Sequence, residues 1–200
     1  MTLLLEPRWK SYVVTTTAPI LTPQQCDEVI KTGQALPQEE GRVFVGPEVL
    51  GKQRKEGTNT KKRIAKISWI PFEAARPMYS IIERWMLNTN LNHFGFDGMT
   101  INEEAQYTEY PKGGFYEWHV DIHSDMSSMP PVRKISMTLL LSDPKDFKGG
   151  DLRLMHSKKN ISLKRGHAIF FASFFPHCVM PVIKGNRKSL VMWFGGTPFK

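Results

Sequence analysis

The second half of the chain is a series of short apolar or alternating segments separated by glycine, proline, aspartate and asparagine. Strict alternation of apolar and polar residues is typical of half-buried strands, and turn-forming residues mark where such strands end. Seven or eight short strands at this spacing predict a β-sandwich or a jelly roll. The segments are Met99–Tyr110, Phe115–Asp121, Lys134–Leu141, Asp151–Met155, Ala168–Phe171, His177–Ile183 and Leu190–Phe194.

The first half carries two helix signals. Thr22 is a candidate N-cap followed by proline at the first helical position, and Gln25 completes a capping box, so a helix is predicted from here to Pro37. A second helix is predicted over Phe72–His93 from an apolar stripe at helical spacing, with Pro77 as an alternative start. We expect both helices to pack on the outer face of one sheet.

Length and composition predict one domain, or one domain with a small appendage. The chain has 200 residues, of which 40% are hydrophobic and 23% charged. Its longest nearly apolar run, Ala168–Phe175, is much shorter than the roughly 18 residues of a membrane-spanning helix, and no signal peptide is recognisable. Cys26 and Cys178 lie far apart in sequence, which favours a reducing compartment, so a cytoplasmic location is expected.

The net charge of +8 is concentrated in one place. Residues 52–66 contain seven lysines and arginines and a single acid, Glu56, and so carry +6 of that charge. The breakers between Gly41 and Thr60 predict a surface loop or hairpin leading into a short strand, Ile64–Ile70. The basic segment could act as a lid that recruits an acidic substrate or nucleic acid, or could simply be a solvated loop.

A metal site is indicated by His119 and Asp121. Side chains two residues apart on a strand point to the same face, so an imidazole and a carboxylate would lie together. His177, at the start of another predicted strand, is the candidate third ligand, and two imidazoles with one carboxylate form the facial triad of non-haem Fe(II) oxygenases. From spacing alone, His123 and Asp125 compete with the first pair.

Longer stretches around these residues resemble a known family. The segment Tyr110-Pro-Lys-Gly-Gly-Phe-Tyr-Glu-Trp-His-Val-Asp121 resembles the YxxGxxYxxHxD pattern of the prolyl 4-hydroxylase-like Fe(II)/2-oxoglutarate-dependent dioxygenases, which include the bacterial PKHD-type hydroxylases. Gly166 to His177 and Arg187-Lys-Ser189 resemble the family's later segments. The resemblance implies a cupin-like jelly roll, the double-stranded β-helix. Residues 99–200 would form its catalytic core and residues 1–98 would supply helical support and the basic loop.

The resemblance also implies ligands and a reaction. Fe(II), 2-oxoglutarate and O2 would be required, and ascorbate is a further candidate. An unactivated C–H bond would be hydroxylated, with release of succinate and CO2. The implied metal ligands are His119, Asp121 and His177, and the implied 2-oxoglutarate contacts are Arg187, Ser189 and Tyr110. A guanidinium suits a carboxylate because it can bind both oxygens.

The substrate is predicted less narrowly. The resemblance places Arg133, Trp193 and Tyr116 on the substrate side, although packing would explain Trp193 and a surface charge would explain Arg133. The leading substrate is a peptidyl proline, followed by lysine. Alternatives are a free amino acid or small metabolite, a nucleic acid to be demethylated, and a cupin-like binding domain without catalysis. No membrane partner is expected.

Overall fold

Antiparallel strands make up most of the structure, a computed structural model that describes residues 11–45, 55–122, 131–155 and 160–197. The first strands are β1 (Val13–Thr15), β2 (Glu39–Glu40), β3 (Arg42–Val45), β4 (Lys55–Thr58), β5 (Arg63–Ile64), β6 (Lys66–Ile70), β7 (Thr100–Ile101) and β8 (Ala105–Tyr110). They are followed by β9 (Phe115–His119), β10 (Val132–Leu140), β11 (Phe147–Gly149), β12 (Leu152–Leu154), β13 (Ala168–Ala172), β14 (His177–Val179), β15 (Val182–Gly185) and β16 (Arg187–Gly196). The helices are α1 (Pro23–Ala35) and α2 (Arg76–Thr89).

Two sheets pack against each other. The larger has the order β1-β13-β10-β16-β8-β6-β2, with β7 also paired to β16, and the smaller has the order β12-β14-β9-β5. Leu140 and Phe171 of the larger sheet pack in one buried cluster with Leu152 and Val179 of the smaller. Two further pairs, β3-β4 and β11-β15, lie outside these sheets. The result is the two-layered jelly roll that the strand spacing predicts.

Both helices cover the outer face of the larger sheet. Apolar residues of α1 and α2, among them Val29 and Ile82, share one buried cluster with Met137 of β10 and Met192 of β16. Because side chains alternate along β10 and β16, one set faces the helices. The other set faces the space between the two sheets, which is the interior of the barrel. The predicted placement of the helices is confirmed.

The helix boundaries follow their sequence signals. The Gln25 backbone N–H donates to Thr22 Oγ1 at 3.2 Å, and the Thr22 N–H donates to Gln25 Oε1 at 2.8 Å, so the predicted capping box is present. The predicted second helix divides into a 3₁₀ turn (Phe72–Ala75), α2 and a π turn (Asn90–Phe94). The π turn ends at Gly95, whose φ of 71° is one that glycine adopts readily.

Two of the predicted strands are each divided into two shorter strands in the structure, and one of these divisions lies in the basic segment. β3 and β4 form the predicted hairpin, but the strand predicted over Ile64–Ile70 changes sheets at Ala65, because β5 pairs with β9 and β6 pairs with β8. Arg63 of the basic segment is consequently buried, at 8% exposure. The strand predicted over His177–Ile183 splits at Pro181, which has no N–H to offer a sheet.

Both cysteines lie in the part of the chain that the structure describes. Cys26 and Cys178 are both buried and unpaired with each other. Burial raises the pKa of Cys26 to about 11, so this residue is a neutral thiol. Within the described ranges, neither helix has the length and apolar character that crossing a membrane requires.

Gly33 provides a test of how α1 packs on the sheet. A Cβ atom at Gly33 would lie 2.3 Å from Cγ of the Tyr107 ring, and that ring is fully buried. Replacing glycine by alanine inside a helix ordinarily stabilises by about 1 kcal/mol, whereas overpacking costs about 1–3 kcal/mol. We expect Gly33→Ala to lower the free energy of unfolding, measured by denaturant titration, while Lys31→Ala on the exposed face of α1 leaves it nearly unchanged. A stabilised Gly33→Ala protein would contradict this packing.

Candidate metal centre

The strand β9 carries an extra residue where it faces β14. Val179 is paired with Tyr116 and His177 with His119, so two steps along β14 correspond to three along β9. Such a bulge changes the alternation of side chains. Tyr116 and His119 therefore both contact the site, and their rings stack at a centroid distance of 3.5 Å.

His119, Asp121 and His177 come together at the ends of these strands. His119 Nε2 lies 3.6 Å from Asp121 Oδ1, and His177 Nε2 lies 3.4 Å from Asp121 Oδ2. One ligand atom from each residue lies within 4.8 Å of the others, and no other group of this kind occurs among the described residues. His123 and Asp125, the competing pair, lie outside the described residues.

Both imidazoles are oriented by backbone carbonyls two residues earlier. Nδ1 of His119 is 2.7 Å from the oxygen of Glu117, and Nδ1 of His177 is 3.0 Å from the oxygen of Phe175. A carbonyl can only accept, so each Nδ1 carries a hydrogen, and Nε2 is the atom of each ring that faces Asp121. Burial, together with the neighbouring His177, lowers the pKa of His119 to about 3. A neutral imidazole with a free Nε2 is the form that binds a metal.

Asp121 supplies the negative charge. Its side chain is 7% exposed. Burial alone would raise the pKa of this carboxyl group, but the two histidine rings and a hydrogen bond from Ser136 lower it below its usual value. Two imidazoles and one carboxylate fit a divalent iron ion, because this donor set suits Fe(II) and leaves other coordination positions open.

Arg187 is a buried cation inside the barrel. Its exposure is 3%, and no carboxylate in the described part of the chain forms a salt bridge with it. Nη1 donates to Ser189 Oγ at 3.1 Å, and the guanidinium lies 5.6 Å from the centre of the Tyr110 ring. The structure thus brings together the three residues predicted to contact 2-oxoglutarate. Arg187 also lines a cavity of about 180 Å³, together with Gly150, Asp151 and Leu152.

The three residues predicted on the substrate side lie close to the metal ligands or to one another. Tyr116 stacks on His119, as described above. Arg133 lies 4.0 Å from the centre of the Trp193 ring, and its Nε donates to Glu103 at 2.6 Å while Nη2 contacts the other carboxylate oxygen. Trp193 is buried, at 7% exposure. Arg133 is therefore an ion-paired residue and not a solvated surface charge.

Four residues at the site were not identified from the sequence. Arg63 lies over the Tyr116 ring at 4.5 Å, and Glu103 binds Arg133. Ser136 donates to the Asp121 carboxylate, and the Ser173 carbonyl accepts from the Asp121 N–H. The sequence gives only a weak indication of these residues. Arg63 belongs to a run of basic residues, and serine is common in strands.

Comparison with known proteins gives a consistent result. Residues 105–195 match the family model of the 2OG-Fe(II) oxygenase superfamily. A PKHD-type hydroxylase of Synechococcus sp. (strain CC9902) is 40% identical over 83 residues, which is 40% of this chain but only 36% of that protein. The PKHD-type hydroxylase YbiX of Escherichia coli is 27% identical over 184 residues, covering 87% of this chain and 74% of the relative.

Solved structures share the fold. A prolyl-4-hydroxylase of Pseudomonas putida superimposes with a TM-score of 0.67 at 20% identity, covering 93% of both chains. A prolyl hydroxylase of Trichoplax adhaerens, in complex with a hypoxia inducible factor peptide fragment, gives a TM-score of 0.70 at 19% identity, covering 93% of this chain and 84% of that one. The predicted fold class is confirmed.

A jelly roll that holds two imidazoles and a carboxylate together defines the class of mononuclear non-haem iron oxygenases. Within this class, residues 105–195 match the 2OG-Fe(II) oxygenase superfamily, and the relatives and the shared fold support an oxygenase of the PKHD and prolyl 4-hydroxylase-like type. The chain is accordingly a 2-oxoglutarate-dependent dioxygenase that uses Fe(II), 2-oxoglutarate and O2.

Metal titration tests which residues hold the iron. We expect Asp121→Ala to weaken Fe(II) binding by more than the roughly 10–100-fold that loss of an outer-shell partner costs, because the only carboxylate of the cluster is lost. Affinity is measured anaerobically by competition with a chelator. The control is the double variant His123→Ala and Asp125→Ala, which should bind like the wild type. Loss of iron from the control but not from Asp121→Ala would refute the assignment.

Proposed function

We propose that the chain hydroxylates a prolyl side chain within a peptide or protein and releases succinate and CO2. The reaction class follows from the family. The choice of proline is supported by the prolyl hydroxylases among the structures that share the fold. The Trichoplax enzyme is seen with a peptide fragment, which supports a peptide as the substrate here.

Arg187 is the observation that carries the proposal. A fully buried charge is costly unless it is paired. Among the described residues Arg187 contacts one hydroxyl and one aromatic ring, and the Asp151 carboxylate attracts it but forms no salt bridge with it. A dicarboxylate ligand would supply a paired partner. The guanidinium can bind a carboxylate through two parallel hydrogen bonds, and Ser189 can add a third. The barrel thus fits 2-oxoglutarate as well as iron.

Each named side chain would bind or orient a reactant. His119, Asp121 and His177 would hold the iron, which together with 2-oxoglutarate and O2 supplies the oxidising chemistry. Arg187, Ser189 and Tyr110 would anchor the far carboxylate of 2-oxoglutarate. This anchoring fixes the other end of the cosubstrate against the metal. The side chains named here therefore position reactants and do not transfer protons.

Tyr116, Arg133 and Trp193 would contact the peptide. The Tyr116 ring lies directly on a metal ligand, so a group above it would be close to the iron. Glu103 and the Trp193 ring hold Arg133 in place, and Arg133 Nη1 also lies 3.5 Å from the Asp121 carbonyl oxygen. Rigid placement lowers the entropy lost on binding. Recruitment of an acidic substrate by the basic segment stays a prediction.

Binding of 2-oxoglutarate tests the role of Arg187. With Mn(II) in place of iron, Arg187→Ala should weaken 2-oxoglutarate binding by on the order of 100-fold, as expected for losing a charged hydrogen-bonded partner worth about 3 kcal/mol. Arg187→Lys keeps the charge but not the paired donors, so a smaller loss is expected. Calorimetry measures both. Lys188→Ala removes a neighbouring charge and serves as control, and equal affinities for Arg187→Ala and wild type would exclude this site.

Mass spectrometry tests the substrate. The protein, supplied with Fe(II), 2-oxoglutarate and O2, is incubated with a peptide library and a proteome digest, and products are searched for the gain of one oxygen atom. We expect the oxygen on proline, with succinate formed in equal amount, and no product from Asp121→Ala. Oxygen localised only to lysine, to free amino acids or to nucleic acid would reject the prolyl assignment while preserving the reaction class.

A further inference from the structure

Asp121 lies beyond the end of the strand that carries His119. The sheet hydrogen bonds of β9 therefore do not hold it. Instead, the backbone N–H groups of Asp121 and Ile122 both donate to the carbonyl oxygen of Ser173, at 3.0 and 3.2 Å. Ser173 directly follows β13, and its own N–H donates to the carbonyl of Lys134 at 2.9 Å. The backbone of the acidic ligand is thus attached to the larger sheet.

The side chain of Asp121 is held from the same direction. Ser136 Oγ donates to Asp121 Oδ2 at 2.7 Å, and the hydroxyls of Ser136 and Ser173 lie 3.0 Å apart. Neither serine has exposed surface. Oδ1 accepts no hydrogen bond from a described residue, so the two oxygens of the carboxylate are chemically different.

The number of available hydrogens decides which hydroxyl donates in the hydrogen bonds that link Ser173, Ser136 and Asp121. An ionised carboxylate can only accept, so the single hydrogen of Ser136 is used on Asp121. Ser173 must then donate its hydrogen to Ser136. A hydroxyl that accepts one hydrogen bond becomes a better donor to the next group, so Ser173 strengthens the bond from Ser136 to Asp121.

A second bulge allows Ser136 to reach the site. The pairing of β10 with β16 shifts register between Arg133 and Ile135. Arg133 and Ser136 are three residues apart, yet Arg133 Nη1 lies 3.5 Å from the Asp121 carbonyl and Ser136 bonds its carboxylate. In a regular strand, residues three apart point to opposite faces.

From these contacts we infer that Ser136, supported by Ser173, is a positioning residue that leaves Asp121 only one oxygen for the iron. A carboxylate can bind a metal through one oxygen or through both. A hydroxyl donating to Oδ2 competes with the metal for that oxygen, and Oδ1 remains available. Binding through one oxygen keeps a coordination position open for 2-oxoglutarate or O2. The inference rests on the proposed iron site.

Cobalt binding tests the inference without relying on turnover. Co(II) replaces iron, its affinity is measured by chelator competition, and its visible absorption spectrum reports the number of ligands. Ser136→Ala should weaken binding by on the order of 10-fold or shift the spectrum toward higher coordination, or both. Ser136→Thr keeps the hydroxyl and should restore both properties. Ser173→Ala should have a smaller effect in the same direction.

The double variant and a matched control separate positioning from general stability. Ser136→Ala combined with Ser173→Ala should bind Co(II) like Ser136→Ala alone, because the Ser173 hydroxyl acts through Ser136. Ser68, equally buried, donates to the Gly33 carbonyl on the helix side, so Ser68→Ala removes a buried hydroxyl away from the metal.

Three results would overturn the inference. Ser136→Ala could match the wild type in both affinity and spectrum, or Ser68→Ala could weaken Co(II) binding as much as Ser136→Ala does. If Ser136→Ala does not fold, a Ser173→Ala protein with wild-type Co(II) affinity and spectrum would overturn the inference. A wild-type protein that binds no divalent metal would instead refute the proposed function itself.

Discussion

The hydrogen-bonded pairing of β9 with β14 sets the positions of both histidines. His119 and His177 are opposite each other in this ladder, although 58 positions separate them along the chain, and their ring centroids are 4.1 Å apart. The extra residue in β9 brings the Tyr116 ring onto His119. Asp121, just past the strand, is then held by Ser173. The metal centre therefore depends on the pairing of two short strands of the smaller sheet.

Asp121 and Arg187 are both buried charges in the interior of the jelly roll. Asp121 lies beside two imidazoles and accepts a hydrogen bond from Ser136, whereas Arg187 has Ser189, the Tyr110 ring and the attraction of the Asp151 carboxylate. Burial lowers the pKa of Arg187, and the nearby Tyr110 and Asp151 act in the opposite direction. An anion bound beside Arg187 would balance its positive charge. Ligands that bind only the folded state also stabilise it, so cosubstrate binding and stability are expected to be linked.

Local sequence patterns were sufficient to predict several helices and strands. The capping box of α1 involves only Thr22 and Gln25, three residues apart, and it forms as predicted. The short alternating segments gave most strands, because turn residues mark their ends. Local spacing could not reveal that Ala65 separates strands of two different sheets, since this depends on which distant strand each half meets. For the same reason Arg63 resembled a solvated charge in sequence but is buried.

The sequence by itself determined the fold class and the two helices, and its resemblance to a family predicted the candidate metal ligands and 2-oxoglutarate contacts, but not Arg63, Glu103, Ser136 or Ser173. Spacing alone left His119 and Asp121 in competition with a second pair. Only the tertiary structure decided which side chains face one another: Tyr116 toward His119, and Ser136 toward Asp121. The physical reason is that a bulge adds one residue and reverses the face of every later side chain. Its position is set by pairing with a remote strand, which the local pattern of residues does not record.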